Sequence, residues 1–207
     1  MFYEGEHVNE SASWNDAALA ALLHFLPAEH GQYACKGFTL PHWFPLLNVE
    51  DTGVESRLRR VRIAVDKLIG LQFADDGSFL AEGASSEEVL EAWRSVGFYA
   101  REFGIIACTS SDLDLKRVVK YVHAVLVRKQ MDYGHENIRK FGRTGLIVRI
   151  QDKVARLENL VAKGSADDPQ NESLLDNVVD VMGYSAIGIM WERGKFLLKL
   201  KTPETVS

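Results

Sequence analysis

The sequence predicts a mainly α protein. A C-terminal antiparallel helical bundle spans 111–207, and an N-terminal α-rich unit, 1–110, carries a small β-hairpin in a winged-helix-like order. Three observations support this reading. Apolar residues recur at i, i+3 and i+4 through most of the chain, the period of an amphipathic helix. Helix-opening signals precede those stretches, as in Ser85 with Glu88 and in Asp168-Pro169. A β-turn signal, Asp76-Gly77, stands between two short apolar runs.

Taken in order, Trp14 to Leu26 is rich in Ala and Leu, and Pro27 ends it. Residues 29–40 lack a period and contain Gly31 and Gly37, so they form a loop; Pro41 to Phe44 starts a short helical piece. Val54 to Leu68 is an amphipathic helix with Leu58, Val61, Ile63, Ala64 and Leu68 along it, and Gly70 stops it. Leu71–Phe73 and Phe79–Ala81 flank the turn of the hairpin. The Ser85–Glu88 capping box opens a helix through Trp93 that extends to Phe103. Ser111 with Asp114 opens another, which runs to about Gln130. A loop covers 131–145, Leu146 to Ala162 is helical, and the helix begun at Asp168-Pro169 runs to Trp191. Gly194 breaks it, and Phe196 to Leu198 is either a terminal strand or a docking segment.

Composition narrows the class. The chain has 207 residues, 46% apolar and 26% charged, a globular balance long enough for a core without staples. Two cysteines, Cys35 and Cys108, cannot make a disulfide framework. No apolar run approaches a membrane span, and Met1 to Glu6 has no basic leader before an apolar stretch, so the expected location is the cytoplasm. The net charge of −5 is uneven: 1–110 carries 8 Lys and Arg against 16 Asp and Glu, while 111–207 carries 16 against 13. An anionic ligand is therefore sought in the second half.

There, Glu172, Asp176 and Asp180 recur every four residues, on one face of a helix that is otherwise largely apolar. Carboxylates on a buried helix need a positive partner, and an oxygen-ligated divalent cation, Mg²⁺ or Mn²⁺, is one solution; a solvent-facing stripe is the other. On the preceding helix, Arg149, Asp152, Lys153, Arg156 and Asn159 fall within an arc of about 120°. Ile150, Val154, Leu157 and Val161 line a neighbouring core arc, leaving Gln151, Ala155 and Glu158 for solvent. The short connector makes these two helices antiparallel neighbours. The loop before them, Tyr133 to Gly145, combines glycines with Arg139, Lys140 and Arg143, a composition suited to phosphate. It lacks the Gly-Lys-Ser/Thr of a P-loop.

The runs Asp132-Tyr133-Gly134…Glu136-Asn137, Arg149…Asp152-Lys153…Arg156-Leu157…Asn159-Leu160 and Asn171-Glu172-Ser173…Asp176…Asp180…Gly183-Tyr184 together resemble the phage nucleotide modification associated domain family. That family is similar in layout to the all-α, MazG-like nucleoside triphosphate pyrophosphatases. The resemblance covers about residues 112–191. It implies a helical Mg²⁺ and nucleotide site in a homo-oligomer, in the host cytoplasm for a phage-encoded chain. By position, Asp152, Glu172, Asp176 and Asp180 would hold metal, with Asp152 or Glu172 orienting a water for attack. Arg149, Lys153 and Arg156 would bind phosphates, and Tyr133, Asn137 and Asn159 base or sugar. The pyrophosphatases space their carboxylates by three, whereas this chain spaces them by four and offers only Asp152 on the first helix.

Two classes of function thus stay open at this site, (d)NTP pyrophosphohydrolysis and non-catalytic nucleotide sensing or sequestration. A third comes from the other half. Arg57, Arg59, Arg60, Arg62 and Lys67 on helix 54–68, followed by the hairpin, have the order of a DNA-binding winged helix, although the surrounding half is acidic.

Overall fold

The computed structural model describes residues 13–26, 43, 53–74, 76–79, 84–107, 115–164 and 173–201. These form α1 (Trp14–Leu23), α2 (Val54–Gly70), α3 (Ser86–Ala107), α4 (Leu115–Tyr133), α5 (Glu136–Arg139), α6 (Gly142–Ala162) and α7 (Leu174–Glu192). The mainly α expectation holds. Among the described residues the hairpin is reduced to one antiparallel bridge, Phe73 to Phe79, closed by the Ala74 N–H donating to the Ser78 carbonyl at 2.8 Å.

Local chemistry sets the helix ends. Ser13 caps α1 and Ser85 caps α3, each in a reciprocal box with an acidic residue three positions on, Asp16 and Glu88. The start of α7 differs from expectation. Its cap is Ser173, whose hydroxyl accepts from the Asp176 N–H, so α7 begins at Leu174, and the expected start at Asp168-Pro169 lies outside the described residues. The other end of α7 closes in a Schellman motif: Gly194 has φ 65°, its N–H donates to Trp191 and that of Lys195 donates to Met190. The expected loop 131–145 is mostly helical, because α4 continues to Tyr133 and α6 starts at Gly142, leaving two glycine corners, Gly134 and Gly142, both at positive φ.

α7 is the axis of the fold. It packs against α3, α6, α1 and α4, while α2 lies against α3 and α6. The core is one cluster running from Trp14 through Trp93, Phe103, Leu146 and Met182 to Phe196, and it crosses position 110 without a break. Close helix approach depends on small residues: the Trp93 indole lies against Gly188, and the Phe25 ring against Gly97. After α7, residues 193–201 dock on the bundle and form no strand. Phe196 is buried beside Trp191 and His135, the Lys199 carbonyl accepts the Trp14 N–H at 2.9 Å, and Lys201 and Asn15 exchange two hydrogen bonds. Met190 is thereby buried and Trp191 covered within one chain, so the end of α7 needs no second copy to bury it. Among the described residues no helix is long and apolar enough to cross a membrane.

Candidate functional site

A cleft of about 430 Å³ opens between α4, α5, α6 and α7. Helical periodicity builds each wall. α4 contributes Val122, Val125 and Leu126, then Lys129, Gln130 and Tyr133 in the same i, i+3, i+4 register, so its apolar stripe turns polar where the cleft opens. α5 adds Asn137 and Ile138, and α6 adds Arg149 and Lys153, four residues apart. α7 adds Val179, Asp180, Gly183, Tyr184 and Ile187.

The charges are organised. Asp180 accepts from Lys129 and, at 3.0 Å, from Lys153, joining three helices at one carboxylate that is 11% exposed. The Arg149 guanidinium lies 5.9 Å from the Tyr184 ring centre, within cation–π range, and has no carboxylate partner among the described residues. The charged residues that line the cleft are Lys129, Arg149, Lys153 and Asp180. Gln130 is 6% exposed, and its Nε2 has no hydrogen-bond partner among the described residues. An amide donor so placed costs free energy unless a ligand or water accepts from it.

Of the residues singled out in the sequence, Tyr133, Asn137, Arg149, Lys153 and Asp180 meet in this cleft. Others do not line it. Asp152 and Asn159 are exposed, and Arg156 stands about 10 Å further along α6 than Arg149. An arc of 120° on α6 was too wide, since the cleft takes only the strip four residues apart. Gln151 and Glu158 are half-buried and engaged: both accept from Arg62 of α2, Glu158 through a two-pronged pair at 2.8 and 2.7 Å. In the glycine-rich segment, Arg143 pairs with Glu192 and ties α6 to α7, while Arg139 pairs with Glu136 within α5.

The carboxylates as placed do not fit a Mg²⁺ shell. Both oxygens of Asp180 face ammonium groups, and a dication there would repel them. Asp176 is the returning half of the α7 capping box, accepting from the Ser173 N–H at 3.0 Å and hydroxyl at 2.6 Å; those bonds, with the fields of Lys129 and Lys153, hold its carboxyl below the usual range. Glu172 lies outside the described residues, and among these no group of three His, Cys, Asp or Glu converges.

The chain has no match among protein-family models, curated proteins or solved structures.

On α2, Arg57 pairs with Glu102 at 2.7 Å and Arg62 with Glu158, while Arg59 is exposed. α2 packs on α3 and α6, and two of its four arginines are spent on carboxylates of those neighbours.

Sequence reasoning missed Lys129 and Gln130. The available signal was the register of α4: Lys129 follows Val125, and Gln130 follows Leu126, by one helical step of four.

Proposed function

We propose that this protein binds a nucleotide in the α4–α7 cleft and holds it without turning it over, as a sensor or sequestering protein. One observation carries the reading. Lys129, Arg149 and Lys153 converge on a cavity that also presents tyrosine rings, an apolar wall and two carboxamides, those of Gln130 and Asn137. A bare phosphate would need the cations alone. The volume of about 430 Å³ falls in the range of roughly 300–1,000 Å³ typical of small-molecule sites. Each carboxamide offers a donor and an acceptor, the chemistry that a base edge pairs with. Asp180 accepts from both lysines.

The test is calorimetric titration of the full chain with each NTP and dNTP, with EDTA and with Mg²⁺, while pyrophosphate release is followed. Saturable binding in EDTA that weakens as salt rises supports the proposal, and absence of saturable binding to every nucleotide ends it. Mg²⁺-dependent release of pyrophosphate would replace retention by pyrophosphohydrolysis.

A further inference from the structure

From Leu115 to Met131, α4 holds five Lys and Arg and no Asp or Glu, although the whole chain carries a net charge of −5. The helix packs on α1 and α7, and Val119, Val122 and Leu126 are buried. Its outer side has a different composition. Arg117, Tyr121, Ala124 and Arg128 follow one another at steps of four and three, so they share one face, and all four are exposed. Lys120 is exposed at the edge of that face. Among the described residues Arg117, Lys120 and Arg128 have no carboxylate partner, whereas Lys129 on the next strip is spent on Asp180. Tyr121 is 49% exposed and stands between the cations. From Arg117 to Arg128 the face runs about 16 Å along the helix axis.

We infer that this face of α4 is a docking surface for single-stranded nucleic acid, with phosphates on Arg117, Lys120 and Arg128 and a base stacked on Tyr121. A row of cations free of carboxylates complements a polyanion, and binding releases the counterions held by its phosphates. The aromatic ring among them is what a strand with unstacked bases can use, because every base offers a π face. A carboxylate polymer has no such group, and a duplex keeps its bases stacked on one another. Ala124 leaves the strip low between Lys120 and Arg128, so a backbone can pass across it. A lipid surface fits less well, since a membrane-lying helix needs its apolar face free and α4 turns Val119, Val122 and Leu126 into the core. The surface does not rest on the nucleotide reading of the cleft.

The experiment is a fluorescence-anisotropy titration of the full chain with a labelled oligothymidylate of about a dozen nucleotides, at several salt concentrations. Binding is expected to saturate and to weaken steeply as salt rises. Lys120→Ala combined with Arg128→Ala should weaken it at least about tenfold, with the melting temperature kept. The same double variant should lower the slope of log affinity against log salt by about 1.4, the share of two phosphates on a single strand. Tyr121→Ala should weaken oligothymidylate at least about fivefold and leave an abasic strand of the same length unchanged, a split that loss of structure would not produce. Absence of saturable binding, or equal effects of Tyr121→Ala on the two strands, overturns the inference. So does binding that Lys153→Ala in the cleft abolishes and the double variant leaves untouched, or an equal or higher affinity for duplex DNA, polyglutamate or phosphatidylserine vesicles.

Discussion

Lys153 of α6 donates to Asp180 of α7 at 3.0 Å, and Lys129 of α4 reaches the other oxygen of the same carboxylate. The pair makes Asp180 an organiser of cations, and this role separates from that of a metal ligand in one variant. Asp180→Asn removes the charge and keeps the shape. Nucleotide affinity in EDTA should be retained or rise a few-fold, because the cleft loses its one negative charge. Stability should fall by about 1–3 kcal/mol, since two ammonium groups lose a partly buried partner. Titration and urea unfolding measure both. Loss of binding only in the presence of Mg²⁺ would instead make Asp180 a metal ligand.

The walls of the cleft predict which side chains matter. Arg149→Ala and Lys153→Ala should each weaken nucleotide binding about tenfold, the scale of one charged hydrogen bond. Each should also flatten the dependence of affinity on salt. Asp152→Ala and Asn159→Ala, on the exposed side of α6, should leave the dissociation constant within about twofold. An Asp152→Ala effect as large as that of Lys153→Ala would place the site on the other strip of the helix.

The sequence showed much of this arrangement, unevenly. Helices with a strong apolar period and a cap were legible almost to the residue: α2 starts at Val54 as expected, and the Ser85–Glu88 box opens α3. The start of α7 was not, because two plausible caps compete five residues apart and Asp176 was read for its charge. Its hydrogen bonds to Ser173 show that it caps the helix. Arg149 and Lys153 were legible as a pair because their spacing survives any helix. The fate of Glu158 was not, since its partner Arg62 lies 96 residues away on α2 and no local pattern records it.

That long-range pair has its own consequence. The Arg62 guanidinium is held charged by Glu158, which grips it with both oxygens, and Gln151 takes a third nitrogen. The two side chains are 20% and 40% exposed, so solvent screens part of the gain. Arg62→Met should cost about 1–2 kcal/mol in unfolding free energy, whereas Arg59→Ala, on the exposed face of the same helix, should stay within about 0.5 kcal/mol. Equal effects would mean that α2 is not pinned to α6 through Arg62.

Trp93 and Gly188 fix the distance between α3 and α7. A Cβ on Gly188 would lie 2.3 Å from the indole Cδ2, and Trp93 is fully buried with no room to swing. Gly188→Ala therefore forces the two helices apart. The expected loss is about 3 kcal/mol, the upper end of overpacking, or a fall of roughly 6–12 °C in melting temperature for a chain of this size. Trp93→Phe in the same background should recover part of it, because a smaller ring vacates the space. A Gly188→Ala variant as stable as the native chain would show that this contact is not tight.

His24 gives the fold a dependence on pH. It is 9% exposed, and its Nε2 accepts from the Arg193 guanidinium at 3.0 Å. Burial first, then the charges of Arg193 and Arg94, lower its pKa from 6.5 to about 4. In the unfolded chain the imidazole takes a proton near pH 6.5, whereas in the folded chain it stays neutral until about pH 4. Folding therefore excludes a proton between these values. The stability His24 contributes is fully present above pH 6.5, declines as pH falls and is gone near pH 4, a swing of about 3 kcal/mol at most. His24→Gln keeps a polar acceptor that does not titrate. The urea-unfolding free energy of the native chain minus that of His24→Gln should fall steadily from pH 7.5 to 4.5. The subtraction cancels the carboxylates, and Asp16 and Asp176, whose pKa values are lowered from 3.8, lose their contributions only below that window. A difference that stays flat across it would mean that His24 titrates alike in the folded and unfolded chains, and that the contact with Arg193 does not exclude the proton.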